Sequence, residues 1–389
     1  MSKKILIFSL AYYPSHVSGA EAAIKEITDR VRSDYEFYLI THLFNTKAPN
    51  VERIGAVTVY RVGFGGAYLS KILFVPLAAL KARSLHKTQS FTGMWAMMTY
   101  MLMPLALARF IGVKIPYVLT LQDGDSYEKV FERWFITPAL PLIDSGFKHA
   151  TVIQVISQSL GEWPKKRGYR GEVVMIRNGA NPKNFDELPK DELEMVKHAL
   201  GKKDGDVYLF IAARLVYQKG IEAVIKALPL LPEHVHFFIV GGGPDESMLK
   251  ALSAELQLSH RVHFLGALER DDVPKYRNRV VMDIFVHPSR SEGLGISVLS
   301  AMAGRLPVIA SRVGGLADFI FDGTDGRPAT AWAVEPDAPE QIAAAVKDIM
   351  EHPQKVKERT DTARAMVEAE YQWDEVGKDM KEKEFNQLT

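Results

Sequence analysis

The sequence of 389 residues contains no cysteine. This absence excludes a disulfide framework, a thiolate metal site and a cysteine nucleophile. An excess of charge is also missing, because 48 basic residues stand against 47 acidic ones, and composition therefore gives no case for nucleic-acid binding. The start, MSKKILIFSL, lacks the apolar length and the small-residue cleavage site of a signal peptide. We therefore expect a cytoplasmic protein.

Acidic residues are missing from one long segment, 53–122, which carries lysines and arginines with interleaved aromatic residues. This pattern fits either a solvated basic face or a surface that docks on anionic lipid. Within this segment, the stretch 93–111 has one charged residue, Arg109. Its length is close to the length of a membrane span, which needs about 20 apolar residues. Its proline and small residues favour a helix packed on a sheet over a span.

Short apolar runs alternate with helical patterns along the whole chain. In the first half we predict strands at 4–10, 37–41, 57–62 and 117–121, and in the second at 207–212, 235–240, 262–265, 284–287 and 308–310. Strands that alternate with helices predict parallel sheets covered on both faces. Because the chain is too long for one ordinary core, the pattern predicts an α/β fold of two Rossmann-like lobes.

The segment 286–316, VHPSRSEGLGISVLSAMAGRLPVIASRVGGL, carries the strongest chemical signal. In it, Glu292-Gly293-Leu294-Gly295 follows a predicted strand and precedes a helix predicted at 296–303. Backbone N–H groups at such a turn converge and carry the positive end of the helix dipole, which suits a phosphate or polyhydroxyl ligand. The two glycines allow close approach, and Glu292 can accept hydrogen bonds from sugar hydroxyls.

Two cations follow another predicted strand. Arg214 comes just after the strand at 207–212, and Lys219 lies five residues on, before Gly220. Two fixed cations can stabilise the charge of a leaving diphosphate without a metal ion. Taken alone, such a pair is more often an ordinary surface arginine and lysine.

These segments resemble motifs of the family 4 retaining GT-B glycosyltransferases, and they occur in the family's order over nearly the whole chain. The EGLG segment resembles the family's EGFG donor-sugar motif, and Arg214-Leu215 with Lys219-Gly220 resembles its GRL…KG motif. Further resemblances, to the GGAE loop, the NG pair and the GxGP turn, are carried by Ser18-Gly19-Ala20-Glu21, Asn178-Gly179 and Gly241-Gly242-Gly243-Pro244. The family usually has a second glutamate, which grips the nucleotide ribose, where this sequence has Ser300.

The resemblance implies a role for each matching residue. It implies that Arg214 and Lys219 stabilise the leaving pyrophosphate and that Glu292 holds the sugar, these three being the candidate catalytic residues. The candidate donor-binding residues are Gly19, Gln122, Asp123, Gly242, Gly293, Leu294, Gly295, Ile296 and Ser300. His16, in the first loop, is the candidate for acceptor binding, although a lone loop histidine is usually solvated. His287 we interpret as structural.

The resemblance also implies the domain organisation. We expect an N-terminal Rossmann-like acceptor-binding domain at 1–180 and a C-terminal Rossmann-like nucleotide-sugar-binding domain at 181–365, with parallel sheets facing a central cleft. A C-terminal helix at 366–389 would cross back to the N-terminal domain. The prolines and asparagines at 181–189 are typical of an inter-domain connection.

One short segment points to a metal instead. Asp123-Gly124-Asp125 spells the DxD signature of another glycosyltransferase fold, and two carboxylates at that spacing suit a hard divalent cation. Three residues match by chance often, and the other motifs follow the two-lobed pattern that needs no metal. We therefore expect no metal and no cofactor, with a nucleotide-diphospho-sugar as co-substrate.

The leading hypothesis is a retaining, metal-independent glycosyltransferase that moves a sugar from a nucleotide-diphospho-sugar to an acceptor. The acid-free basic segment favours a lipid-linked or anionic glycan acceptor and a peripheral position on the inner face of the cell membrane. Two alternatives stay open. One is a non-catalytic nucleotide-sugar-binding protein or partner subunit, motivated by Ser300 and Gln122. The other is a sugar-nucleotide 2-epimerase of the same fold.

Overall fold

The computed structural model describes residues 3–14 and 18–388, so His16 lies outside the described residues. The chain divides into two compact units. Unit 1 comprises Met1–Asn178 and Trp373–Thr389, and unit 2 comprises Gly179–Gln372. From the sequence we expected these divisions after residues 180 and 365. The second division falls later because a long helix, Pro353–Glu370, packs within unit 2.

The strands of unit 1 are short apolar segments, most of them buried. They are β1 (Lys3–Phe8), β2 (Tyr35–His42), β3 (Val51–Ile54), β4 (Val57–Val62), β5 (Gly93–Met97), β6 (Tyr117–Leu121), β7 (Val152–Val155) and β8 (Val173–Met175). Within the described residues they form an eight-stranded sheet in the order β3-β4-β2-β1-β5-β6-β7-β8. Ile5 in β1 lies opposite Phe37 in β2 and Gly93 in β5, both in parallel pairing. Only the β3–β4 hairpin is antiparallel among these pairs, so this sheet is mixed rather than wholly parallel.

Helices cover this sheet. They are α1 (Gly19–Val31), α2 (Tyr68–Gln89), α3 (Leu102–Phe110), α4 (Tyr127–Phe131), α5 (Leu140–Lys148), α6 (Gln158–Gly161) and α7 (Trp163–Lys166). The predicted packed helix at 93–111 is wrong in its first part, because β5 and a short 3-10 turn precede α3. A buried strand followed by an apolar helix forms one continuous apolar run in the sequence, so periodicity does not separate the two elements. In the part of the chain that the structure describes, no helix has the length and apolarity to cross a membrane.

Unit 2 is a second α/β layer structure. Its strands are β9 (Val207–Ala212), β10 (Val235–Val240), β11 (Val262–Gly266), β12 (Ile284–His287), β13 (Val308–Ser311) and β14 (Trp332–Val334). Its helices are α8 (Lys190–Ala199), α9 (Ile221–Ala227), α10 (Glu246–Glu255), α11 (Val273–Tyr276), α12 (Ile296–Ala303), α13 (Pro339–Glu351) and α14 (Pro353–Glu370). The described strands run parallel in the order β11-β10-β9-β12-β13-β14. Their carboxyl ends therefore share one edge, as the α/β prediction requires, and the fold class is confirmed.

The end of the chain folds into unit 1. It comprises α15 (Trp373–Asp379), a π-helical turn (Met380–Glu384) and a 3-10 turn (Phe385–Leu388). The Phe385 ring packs against Trp95, with ring centroids 5.2 Å apart, and Asp374 forms an ion pair with Arg30 at 2.6 Å. Gly93 has no room for a side chain there, since a Cβ would lie 2.7 Å from the Cβ of Leu388. This segment therefore forms part of the core of unit 1.

Candidate active site

The carboxyl ends of four neighbouring strands in unit 2 carry most of the predicted site residues. Arg214 and Lys219 follow β9, and Gly242 lies in the turn after β10. Glu292 and the two glycines beside it follow β12, while Gly314 and Gly315 follow β13. Since β10, β9, β12 and β13 are neighbours in the sheet, their loops meet at one edge.

The ammonium group of Lys219 and the carboxylate of Glu292 form an ion pair. Their side chains are largely buried, with 18% and 14% of their surface exposed. Gly220 makes the approach possible, because it has a φ of +62° and a Cβ there would lie 2.3 Å from the Pro288 carbonyl oxygen. The loop after β9 thus rests directly on the loop after β12.

Arg290, in the loop after β12, also contacts the loop after β9. Its guanidinium forms ion pairs with Glu222 and Asp337 and lies 3.8 Å from the ring centroid of Tyr217. Its backbone N–H donates to the Gln218 carbonyl at 2.7 Å. These contacts hold the turn that carries Lys219. This role could not be predicted from the sequence, because it depends on Glu222 and Asp337, which are distant along the chain.

The charge state of Glu292 follows from its surroundings. Burial acts to raise the pKa of this carboxyl, but the charge of Lys219 and the hydrogen bond from His287 outweigh it and lower the pKa to about 2. The Nε2 atom of His287 lies 3.3 Å from Oε2 of Glu292. Burial lowers the pKa of His287, which favours a neutral imidazole that donates to the carboxylate. Glu292 is therefore ionised and a pure hydrogen-bond acceptor at neutral pH.

His287 has a larger part in this site than the sequence indicated. From the sequence we interpreted His287 as structural. In the structure it is almost fully buried at the end of β12, and its ring is parallel to that of Phe285. The structure adds the contact with Glu292, which makes it a positioning residue for the candidate catalytic carboxylate. The signal available in the sequence was its place at a strand end, five residues before Glu292.

The glycine turn after β10 supports the segment that carries Arg214. Gly241 has a φ of +136°, and a Cβ there would lie only 1.9 Å from the Ala213 carbonyl oxygen. The backbone N–H of Leu215 donates to the Gly242 carbonyl at 3.0 Å. Arg214 itself is exposed on this edge, so its guanidinium is accessible to a ligand.

The start of α12 lies beside Glu292. Gly295 precedes the helix with a φ of +92°, and a Cβ there would lie 2.5 Å from the Leu316 side chain. Gly315, which follows β13, donates its N–H to the Glu292 carbonyl at 3.0 Å and so stabilises the turn. The first N–H groups of α12, including that of Ile296, have no intrahelical acceptors because of their position. Leu294, by contrast, is a buried anchor.

Ser300 lies in the interior of α12 and is fully buried. Its hydroxyl accepts a hydrogen bond from the backbone N–H of Asn181 at 3.0 Å. This bond ties the first residues of unit 2 to α12. The structure thus gives the hydroxyl a partner within the protein, and its contact with a donor stays a prediction.

The predicted donor-binding residues of unit 1 lie at two places. Gly19 begins α1, where the Glu21 carboxylate accepts from the Ser18 N–H at 2.7 Å. Gln122 follows β6 and accepts from the Asn178 amide at 2.8 Å.

Asp123, next to it, accepts from the N–H and the hydroxyl of Thr99 at 3.2 and 3.0 Å. Burial raises the pKa of Asp123 to about 6 against those bonds. Both Gln122 and Asp123 therefore have partners within unit 1, and Asp125 forms an ion pair with Lys129. Among the described residues, no group of three or more histidine, aspartate or glutamate side chains is arranged to hold a metal ion.

Solved structures with the same architecture define the class of fold. Sucrose-phosphate synthase from Thermosynechococcus elongatus superposes with a TM-score of 0.85 over 99% of each chain, at 18% identity. Anabaena HepE, solved with UDP and glucose, superposes with a TM-score of 0.79 over 98% of this chain and 99% of that chain, at 21% identity. The fold is that of the GT-B glycosyltransferases.

Sequence comparison then defines the activity. The model of the family described as Glycosyl transferases group 1 matches residues 194–372. An uncharacterized glycosyltransferase of Methanocaldococcus jannaschii is 28% identical over 97% of this chain and 96% of its own. The alpha-monoglucosyldiacylglycerol synthase of Acholeplasma laidlawii is 26% identical over 83% of this chain and 84% of its own. The protein is a glycosyltransferase, and the match to the group 1 family model lies within its second unit.

Proposed function

We propose that this glycosyltransferase is a family 4 enzyme that transfers a sugar from a nucleoside-diphosphate sugar with retention of configuration and without a metal ion. The observation that carries the proposal is the ion pair of Lys219 and Glu292 at the carboxyl edge of the sheet in unit 2. Support for the donor class comes from HepE, a protein of this fold solved with UDP and glucose. The chemistry follows from the same two side chains.

In the proposed reaction the bond between the anomeric carbon and the phosphate oxygen breaks, and the acceptor oxygen bonds to that carbon on the same face. The leaving diphosphate gains negative charge, which Lys219 and Arg214 offset. The acceptor hydroxyl gives its proton to the departing phosphate oxygen. This proton transfer requires no separate base.

Glu292 has a distinct task in this proposal. As an ionised carboxylate it accepts hydrogen bonds from the sugar hydroxyls and so orients the anomeric carbon. Lys219 has three N–H donors, so it can contact a phosphate while it stays close to Glu292. His287 keeps the carboxylate in place from the buried side.

The donor would occupy the rest of this edge. We propose that the phosphates meet the backbone of Gly293, Gly295 and Ile296 at the start of α12, where Leu294 anchors the turn. Gly242, in the turn after β10, is proposed to contact the donor from the neighbouring loop. Ser300 supplies no carboxylate for the ribose, so we expect weaker nucleotide binding than with a glutamate there. Gly19, Gln122 and Asp123 of unit 1 are proposed to contact the donor, and His16 the acceptor.

The proposed acceptor is a lipid-linked or anionic glycan at the inner face of the cell membrane. The absence of acidic residues from 53–122 supports it, since that segment attracts anionic groups. The name of the Acholeplasma laidlawii relative, a glucosyldiacylglycerol synthase, is consistent with it.

A donor panel tests the proposal. The protein is incubated with UDP-glucose, UDP-N-acetylglucosamine or GDP-mannose in chelator, with and without a membrane lipid extract, and nucleoside diphosphate release is measured. Release that depends on the extract and survives the chelator is expected, and the anomeric configuration of the product should match that of the donor. A donor that is isomerised without acceptor would indicate the epimerase, and binding without turnover would indicate a non-catalytic subunit.

A further inference from the structure

Helix α2 presents an apolar outer face to solvent. Leu69, Ile72, Leu73, Leu77 and Leu80 follow helical spacing and lie on one side of the helix. They are exposed by 59%, 53%, 37%, 37% and 57% of their surface. Side chains of this kind rarely stand together on the surface of a protein that has no partner there.

The opposite side of α2 is apolar as well. Phe74, Ala78, Ala82 and Leu85 are buried against unit 1. A helix that is apolar all round normally has apolar surroundings on every side. Within the described chain α2 has them on one side only, so its outer face is suited to a second apolar medium.

The charges around this face indicate which medium. Arg83 and Lys87 continue the same face of α2 toward its end, and both are exposed. No aspartate or glutamate occurs in α2 or anywhere in 53–122. A partner must therefore offer an apolar layer next to negative charge. The interface of an anionic bilayer offers both, with acyl chains below the phosphate groups.

We propose that α2 lies in the surface of an anionic membrane, with its five outer apolar side chains among the acyl chains and its two basic side chains at the phosphates. The inference extends the proposed function, because a lipid-linked acceptor would be met at that surface. It is tested by binding rather than turnover, so the two proposals can fail separately.

Vesicle sedimentation measures the binding directly. The full chain is mixed with vesicles of phosphatidylglycerol and phosphatidylcholine, or of phosphatidylcholine alone, at low and high salt. We expect sedimentation with the anionic vesicles that weakens as salt rises, because exposed charges are screened. Equal binding to both vesicles, or none to either, would overturn the proposal.

Paired variants locate the surface. The Ile72→Gln/Leu80→Gln protein and the Arg83→Glu/Lys87→Glu protein should each bind anionic vesicles about tenfold or more weakly. The matched controls are Leu230→Gln/Met248→Gln, which changes two apolar side chains of unit 2 exposed by 45% each, and Lys165→Glu/Lys347→Glu, which changes the net charge equally. The controls should bind as the wild type does.

Two further measurements keep the result unambiguous. Thermal unfolding of the α2 variants should match that of the wild type, because the changed side chains are on the surface. Size-exclusion chromatography tests whether a second copy of this chain, rather than a membrane, covers the outer face of α2. A wild-type dimer that Ile72→Gln/Leu80→Gln converts to a monomer would assign the face to self-association and contradict the membrane proposal.

Discussion

Lys219 and Glu292, 73 residues apart in the sequence, form an ion pair at the carboxyl edge of the unit 2 sheet. Each side chain reaches that edge from a different strand, β9 or β12, and each lies on a loop whose path depends on a glycine. A largely buried pair of this kind is costly to break, because the remaining charge has no partner. The same two groups thus contribute to catalysis and to stability, and their substitution should affect both.

Replacing Lys219 by methionine should lower turnover by about 10²- to 10³-fold, since one cation at the leaving group is lost. It should also lower the free energy of unfolding by about 3 kcal/mol, because Glu292 then lacks its partner. The double variant Lys219→Met/Glu292→Leu should recover most of that loss while it stays inactive. Urea denaturation of the four proteins in this cycle gives the coupling, and additive losses would show that the two side chains do not interact.

The pH dependence of stability should reverse when Lys219 is removed. In the wild type the pKa of Glu292 is lowered to about 2, so its contribution is complete above about pH 4.5 and is lost as pH falls toward 2. In Lys219→Met, burial becomes the dominant influence and should raise that pKa above its ordinary value. Stability would then decline as pH rises above about 4.5. Unfolding between pH 3 and pH 8, in wild type and variant, checks the sign, with Glu292→Gln as the reference that lacks the carboxyl.

Glu384 offers a second test of buried charge, remote from the site. It lies fully buried in the π-helical turn of unit 1, and both carboxyl oxygens lack a hydrogen-bond partner among the described residues. Burial raises its pKa to about 9, so folding takes up a proton between about pH 4.5 and pH 9. Stability from this group falls as pH rises through that window. Glu384→Gln should therefore stabilise the protein by up to about 3 kcal/mol at pH 7 and by little near pH 4. Equal stability of the two proteins at pH 7 would be the contrary result.

Gly241 should be irreplaceable for a steric reason. A Cβ at this position would overlap the Ala213 carbonyl, so Gly241→Ala must displace the segment that carries Arg214. Donor binding should weaken by at least about tenfold. Gly201 is the matched control, since it also has a positive φ, +69°, but open space around it. Gly201→Ala should lose about 1 kcal/mol of stability and leave donor binding unchanged. Isothermal titration with the donor identified in the panel compares the two.

Much of unit 2 could be predicted from sequence. The bounds of β9, β10, β12 and α12 were predicted correctly, because buried parallel strands are continuous apolar runs between turn residues. That Lys219 and Glu292 act at one site was implied by the family resemblance, and the structure brings the two side chains together at one sheet edge.

The elements and contacts that were not predicted from the sequence have physical explanations. Helix α2 escaped prediction because an apolar residue on both faces removes the helical period from its sequence. The strand β5 was read as the start of a helix for a related reason. His287 and Arg290 could not be assigned, because their partners are identified only once the loops are folded together. Likewise, nothing in the sequence pairs Ser300 with the backbone of Asn181.

The most direct test of the account is donor binding measured by thermal unfolding, for wild type, Lys219→Met and the exposed control Lys347→Met. A ligand at about 100 times its Kd stabilises the folded state by about 2.7 kcal/mol, so the correct nucleotide sugar should raise the melting temperature by several degrees. We expect that rise in the wild type and in Lys347→Met, and its loss in Lys219→Met. An equal rise in all three proteins, or no rise with any nucleotide sugar, would contradict the assignment of this edge to the donor.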